Sequence, residues 1–447
     1  MNVNLVLKDL KAYLNGAIAE CCLAIKDGRI FKIGKEASMP KSEKTLSLKG
    51  LLVLPGLIDV HVHLRDEGKA YKEDFCSGTA AAAAGGITTV LDMPNNDPVT
   101  MSAETLRNRM KAAEKRILVN VGFYSEFPNA PREISQIIGE GAAALKLFMG
   151  VQVGGLNPED NLAIKEAFRN VGQKIPVAVH AEDKSLVEKA EKELRRNGRT
   201  DVEAFVEAHS EEAEVEAIKR IVAITKETNV HVHFCHISSE KGLRAVVEAK
   251  KAGLPITCEV TPHHLFLSIE NLKHSGGLAL TVPPVREKRH AEAIWGGVKA
   301  CLVDLVASDH APHTLEEKCA WDIWQVKAGI PGLETTLPLL LNEVNNGRLT
   351  ISDIVRLMAE NPAKIFRLKD RGSLKEECKA DLIVVDLKRK HVIDAAKFYS
   401  KAKYSPFDGM SVKGKPVKTF VNGKLVMDDG EIIADAEAGE ILRGAGL

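Results

Sequence analysis

Two histidines stand two residues apart in the segment Asp59-Val60-His61-Val62-His63-Leu64-Arg65. In an extended strand, residues i and i+2 share a face, so both imidazoles point the same way. Paired imidazoles are a common metal-ligand arrangement. Without a metal, the segment reads as a polar strand edge with accidental alternation. A second cluster, Ala307-Ser308-Asp309-His310-Ala311-Pro312-His313, follows an apolar run. That puts Asp309 near the C-terminal end of a strand, the catalytic end of an α/β barrel. The plainer reading is an Asp that caps a helix start before proline. Three more residues sit at comparable places. His180 closes IPVAVH, His236 closes VHVHFCH, and Lys146 lies inside apolar AALKLF. A lone histidine at a strand end is often only hydrogen-bonded. An unpaired ammonium inside an apolar strand is costly. A carbamylated lysine, an anion with two oxygens that can bridge two metals, removes that cost.

The elements that must position these groups follow from the pattern around them. Short apolar runs alternate with helical patterns: TTVLDM (88–93), ILVNVGFY (117–124), AALKLF (143–148), IPVAVH (175–180), VHVHFCHI (230–237), LPITCEV (254–260) and LVDLVASDH (302–310). Strand–helix alternation predicts a parallel sheet under helices, and its persistence over about 300 residues suits a (β/α)8 barrel. The 248 residues from His61 to Asp309 match the length of a whole barrel, about 250. The intermediate spacings, in units of about 30 residues, place the set on strands 1, 4, 5, 6 and 8, at one mouth. Residues 183–227 are helical, polar and longer than one crossover needs, and read as an insert. Both chain ends are β-rich, with hairpin signals at Asp27-Gly28, Asn422-Gly423 and Asp429-Gly430. The expected organisation is a composite β-sandwich domain of residues 1–54 plus 370–447 around a catalytic barrel of residues 55–369.

The chain has 447 residues, 45% of them hydrophobic and 27% charged, with 61 basic and 61 acidic residues. This composition excludes global disorder, and the charge balance carries no footprint for nucleic acid or an anionic membrane. The most apolar run, LLVLPGLIDVHVHL (51–64), is too short to span a bilayer and contains Pro55, Asp59, His61 and His63. Nothing at the N-terminus reads as a secretory signal. Eight cysteines, two of them adjacent at Cys21 and Cys22, suit a reducing cytoplasm.

DVHVHLR (59–65) and ASDHAPHTLEEK (307–318) resemble the two signatures of the dihydroorotases of the amidohydrolase superfamily. GTAAAAAGGITTVLDMPNNDP (78–98), TCEVTPHHLF (257–266) and GIPGLETTLPLLL (329–341) extend the resemblance over nearly the whole chain. The class I type fused into multifunctional pyrimidine enzymes is the most similar form. The resemblance implies zinc-dependent, reversible cyclisation of N-carbamoyl-L-aspartate to (S)-dihydroorotate and water in de novo pyrimidine biosynthesis. It implies two zinc ions: His61, His63 and Asp309 on the more buried one, His180 and His236 on the other, and carboxylated Lys146 between them. Asp309 would also be the general base and acid. His63, Arg65, Asn95 and His313 would contact the substrate, with Arg65 and Asn95 holding its carboxylate and His313 closing over it. The resemblance is compatible with a homodimer and with association with aspartate carbamoyltransferase.

Two positions depart from the family pattern. Asp66-Glu67-Gly68 lacks the usual proline after the acidic residue, and Val282 stands before Pro283-Pro284 where many bacterial members carry a substrate-binding asparagine. Allantoinases and hydantoinases share this type of centre; DHAPH and MPNN favour the dihydroorotases over these, and Arg65 beside the ligands favours an acidic substrate. A noncatalytic scaffold would typically have lost ligands that this chain keeps. His231, His233, His263 and His264 read as supports, and so do Cys235 and Glu259, although these two could join an extra metal site.

Overall fold

The structure, a computed structural model, describes residues 2–434 and 437–444. The N-terminal strands are Asn2–Leu14 (β1), Ala17–Lys26 (β2), Arg29–Gly34 (β3), Lys41–Ser47 (β4) and Leu52–Pro55 (β5). β1 pairs antiparallel with β2 and parallel with β4 and β5. Asp27 and Gly28 turn the chain between β2 and β3 with φ of 50° and 76°. Positive φ at both central residues is the type I′ geometry that a right-twisted hairpin requires.

Eight strands then follow in order: Leu57–Val62 (β6), Ile87–Asp92 (β7), Asn120–Glu126 (β8), Ala144–Phe148 (β9), Val177–His180 (β10), Val232–Phe234 (β11), Ile256–Val260 (β12) and Leu305–Val306 (β13). Each pairs in parallel with the next, giving a nearly closed barrel. β6, β7, β8, β10 and β11 are buried at every residue. This is why the sequence shows continuous apolar runs here and not alternation: parallel strands are covered on both faces. The ring closes between its first and last strands. Val62 bridges to His310, His63 N–H donates to the His310 carbonyl at 2.8 Å, and Ser308 N–H donates to Asp59 at 3.1 Å. Burial pushes the Asp59 carboxyl up to about 7. These ties bring the segment containing Asp309 against the strand that carries His61.

After the barrel come Leu382–Val392 (β14), Ser411–Val421 (β15), Lys424–Asp428 (β16) and Glu431–Ile432 (β17). β14 pairs antiparallel with β5, so the two chain ends share one nine-stranded mixed sheet. Ile441–Leu442 (β18) instead returns to the barrel and pairs with β8. The expected insert consists of three helices, Lys184–Arg196, Val202–Ala208 and Glu211–Thr228. Among the described residues, no helix is long and apolar enough to cross a membrane.

Candidate active site

Four imidazoles and one carboxylate converge at the C-terminal mouth of the barrel. His61 Nε2 and His63 Nε2 each lie 3.3 Å from Asp309 Oδ1. His180 Nδ1 lies 3.1 Å from His236 Nε2. Two nitrogen or oxygen ligands of one tetrahedral zinc, each about 2.0–2.1 Å from it, stand roughly 3.3 Å apart. His61, His236 and Asp309 also present atoms within 4.8 Å of one another. Arg65, His236 and Asp309 have φ of 61°, 31° and 46°. Non-glycine residues in this region carry strain of order 1–3 kcal/mol each, which surrounding structure must offset. All three lie just beyond the C-terminal ends of barrel strands β6, β11 and β13, where the chain turns side chains into the mouth.

In three of the four rings the second nitrogen explains the aim of the first, while His236 Nδ1 has no partner among the described residues. His61 Nδ1 is hydrogen-bonded to Glu259, and His63 Nδ1 lies 2.7 Å from Asn95 Oδ1. His180 Nε2 lies 2.9 Å from Glu182 Oε2. An acceptor on one nitrogen keeps the proton there and leaves a lone pair on the other, which is how histidine ligands are oriented. Desolvation by burial, reinforced by nearby cations, lowers the pKa of His61, His63 and His236, which keeps them neutral. Burial raises the Asp309 carboxyl, with His61 and Lys146 opposing. Burial also works against the charge on Glu259, yet His61 and His233 hold its carboxyl well below the usual range. Glu259 therefore serves three groups on two strands: His61, His233 Nε2 at 3.0 Å and the His236 backbone N–H at 3.2 Å.

Lys146, on β9, is fully buried. Its Nζ donates to Cys235 Sγ at 3.0 Å and stands 4.9 Å from the Phe148 ring centre. Burial pushes the Cys235 thiol up to about 12, so this partner offers no negative charge to an ammonium. The donor set fits a metal cofactor: four imidazoles gathered at one mouth, a carboxylate among them, and a lysine amine that gains from conversion to an anion. The group His61, Cys235 and Glu259 also has donor atoms close together. There, however, His61 Nδ1 is already engaged by Glu259, so these residues orient the ring.

A cavity of about 380 Å³ opens at this mouth. His61, His63, His180, His236 and Asp309 line it, as do Arg65, Asn95 and His313. Lys146 lies behind the lining. Arg65 is 8% exposed, its Nε has no partner among the described residues, and its guanidinium lies 3.4 Å from His313 Nε2. Burial, with Arg65 and Lys72 adjacent, pushes the His313 imidazole down to about 3. His313 is thus neutral, held between Lys72 at 3.1 Å and the Ala328 carbonyl at 3.1 Å. Buried Lys318, at the end of the same segment, donates to the carbonyls of Leu280, Lys327 and Gly329, which braces the cavity wall at Gly329.

Several cavity-lining positions have no local sequence signal. Glu182 and His209 line the cavity, and His209 comes from the insert. Phe148, Val151, Val187 and Val282 add apolar surface. Three further histidines hold neighbouring strands and loops. His231 and His233 bond to Thr257, and His264 bridges Thr261 and the Pro283 carbonyl.

The family model described as "Amidohydrolase family" matches residues 52–426. The dihydroorotase of Methanothermobacter thermautotrophicus is 38% identical, over 92% of this chain and 92% of its own length. The L-hydantoinase of Paenarthrobacter aurescens is 32% identical, over 98% of each chain. The solved L-hydantoinase (dihydropyrimidinase) from Arthrobacter aurescens superposes with a TM-score of 0.95 at 30% identity, covering 99% of this chain and 100% of that one.

Proposed function

The chain belongs to the amidohydrolase family, and on that footing we propose that it is a dihydroorotase. In this reading it interconverts N-carbamoyl-L-aspartate with (S)-dihydroorotate and water, in the cytoplasm, as a step of pyrimidine biosynthesis. The observation that carries the reading is Arg65: a buried guanidinium with a free Nε at the wall of a cavity that the histidine–aspartate cluster also lines. A fixed cation in such a place calls for an anionic substrate, and its planar fork suits a carboxylate. The dihydroorotases among the similar proteins fit the same substrate class.

His61, His63 and Asp309 would hold one zinc ion, His180 and His236 a second, and Lys146, carboxylated on Nζ, would stand between them. Bound there, the metals supply a water acidified toward neutral pH and polarise the carbonyl under attack. Arg65 and the Asn95 amide orient the substrate by its carboxylate, and His63 and His313 enclose it. Asp309 takes a proton from the attacking water and returns it to the ring nitrogen as the amide bond breaks; burial raises its carboxyl and eases the uptake. In the biosynthetic direction the same carboxylate removes the ureido proton as the ring closes.

The apolar surface of Phe148, Val151, Val187 and Val282 favours a second reading, a hydantoinase acting on neutral cyclic ureides with an apolar substituent. Steady-state kinetics on dihydroorotate, allantoin and 5-substituted hydantoins separates the two. Highest kcat/KM on dihydroorotate is expected; highest kcat/KM on a neutral hydantoin would overturn the proposal.

A further inference from the structure

His209 is held by four contacts on four sides. It ends the helix Val202–Ala208, and its N–H donates to the Phe205 carbonyl at 3.1 Å. Its carbonyl accepts from Arg286 Nη1 at 2.7 Å. Its ring stacks on Phe205, with centres 4.4 Å apart. Its Nδ1 lies 2.9 Å from Glu182 Oε1. Glu182 is buried; its Oε1 takes the His209 N–H, while its Oε2 stands 2.9 Å from His180 Nε2. The His209 proton is therefore on Nδ1. The other ring nitrogen, Nε2, has no hydrogen-bond partner among the described residues. The ring lines the cavity, and Val187, Val282 and Phe148 line it too. A polar atom set among apolar ones in a cavity wall fixes the orientation of a ligand.

We propose that His209 is a specificity-determining residue whose Nε2 accepts a hydrogen bond from the ureide N–H remote from the scissile bond. This rests on the reading of the site as one that opens a cyclic ureide. Arg286, which grips the His209 carbonyl, lies four residues beyond Val282, so one guanidinium ties the apolar segment to the insert that brings the acceptor. The insert thereby contributes to substrate recognition as well as to the wall.

The test is a cycle between protein and substrate. Wild type and His209→Ala are compared on dihydroorotate and on its N1-methyl analogue, which lacks that N–H, with zinc content measured alongside. His209→Ala is expected to raise KM for dihydroorotate about five- to tenfold, the range of one neutral hydrogen bond, with kcat within about threefold and zinc content unchanged. Wild type should discriminate against the methyl analogue and the variant should not, and His209→Gln should recover part of the lost affinity. Equal discrimination by wild type and variant, or a fall in kcat together with zinc content, would overturn the proposal; the latter would make His209 a support of Glu182 and His180 only. Wild type inactive on dihydroorotate would instead defeat the proposed function. The same cycle on a 5-substituted hydantoin and its N1-methyl form then decides the role of His209 by the same KM shift.

Discussion

Asn95 Oδ1 lies 2.7 Å from His63 Nδ1. The amide expected to hold the substrate carboxylate thus spends its acceptor on an imidazole and has only its NH2 left for substrate. Asn95→Ala should therefore weaken metal binding about tenfold, within the range seen when a partner of a metal-bound histidine is removed, and raise KM as well. Competition with a chelator measures the first effect. Unchanged metal affinity would confine Asn95 to the substrate.

Asp309 is within reach of both His61 and His63 and is the buried carboxylate facing the cavity beside them. Asp309→Asn should lower kcat by about a thousandfold, the scale of general acid–base catalysis, while part of the metal is retained. Wild-type turnover in this variant would assign the proton transfer elsewhere.

Arg65→Ala should act mainly on KM, raising it about ten- to a hundredfold, because a charged hydrogen bond is worth about 1.5–3 kcal/mol. The effect should vanish for neutral hydantoins. An unchanged KM for dihydroorotate would place the carboxylate elsewhere in the cavity.

Glu334 accepts from the backbone N–H groups of Tyr399 and Ser400 at 2.9 and 3.2 Å. Burial raises its carboxyl to about 8 against these two bonds. The folded chain therefore binds a proton that the unfolded chain has lost between the ordinary carboxyl range and pH 8. Its contribution is complete below about pH 4.5 and disappears as pH rises through 8. Glu334→Gln keeps both acceptor contacts without the charge. The variant should match wild type near pH 5 and melt a few degrees higher at pH 8.5, when Tm is followed in parallel. Parallel Tm curves across that range would contradict the shift.

What the sequence makes legible here is what obeys a local rule. His61 and His63 declare themselves through the two-residue period of a strand, and His180 and His236 through their places at the ends of apolar runs. Asp27-Gly28 and Asn422-Gly423 turn where the positive φ of the hairpin demands it. Glu259 obeys no such rule. Within TCEV it is one polar residue in a strand, and its work depends on β12 lying beside β11 and on His61 of β6 reaching it across the barrel. His209 lies in an insert whose period says only helix, and it reaches the cavity through Arg286 and Glu182, 77 and 27 residues away. Lys146 stands between these cases: its burial was legible from AALKLF, while its thiol partner came from another strand.

The most direct test of the account is metal stoichiometry and dihydroorotate turnover on the same protein, purified without chelator, before and after stripping. The account predicts about two zinc ions per chain, turnover lost with the metal and restored with it. Turnover that persists in stripped protein, or a chain that binds no metal, would contradict it.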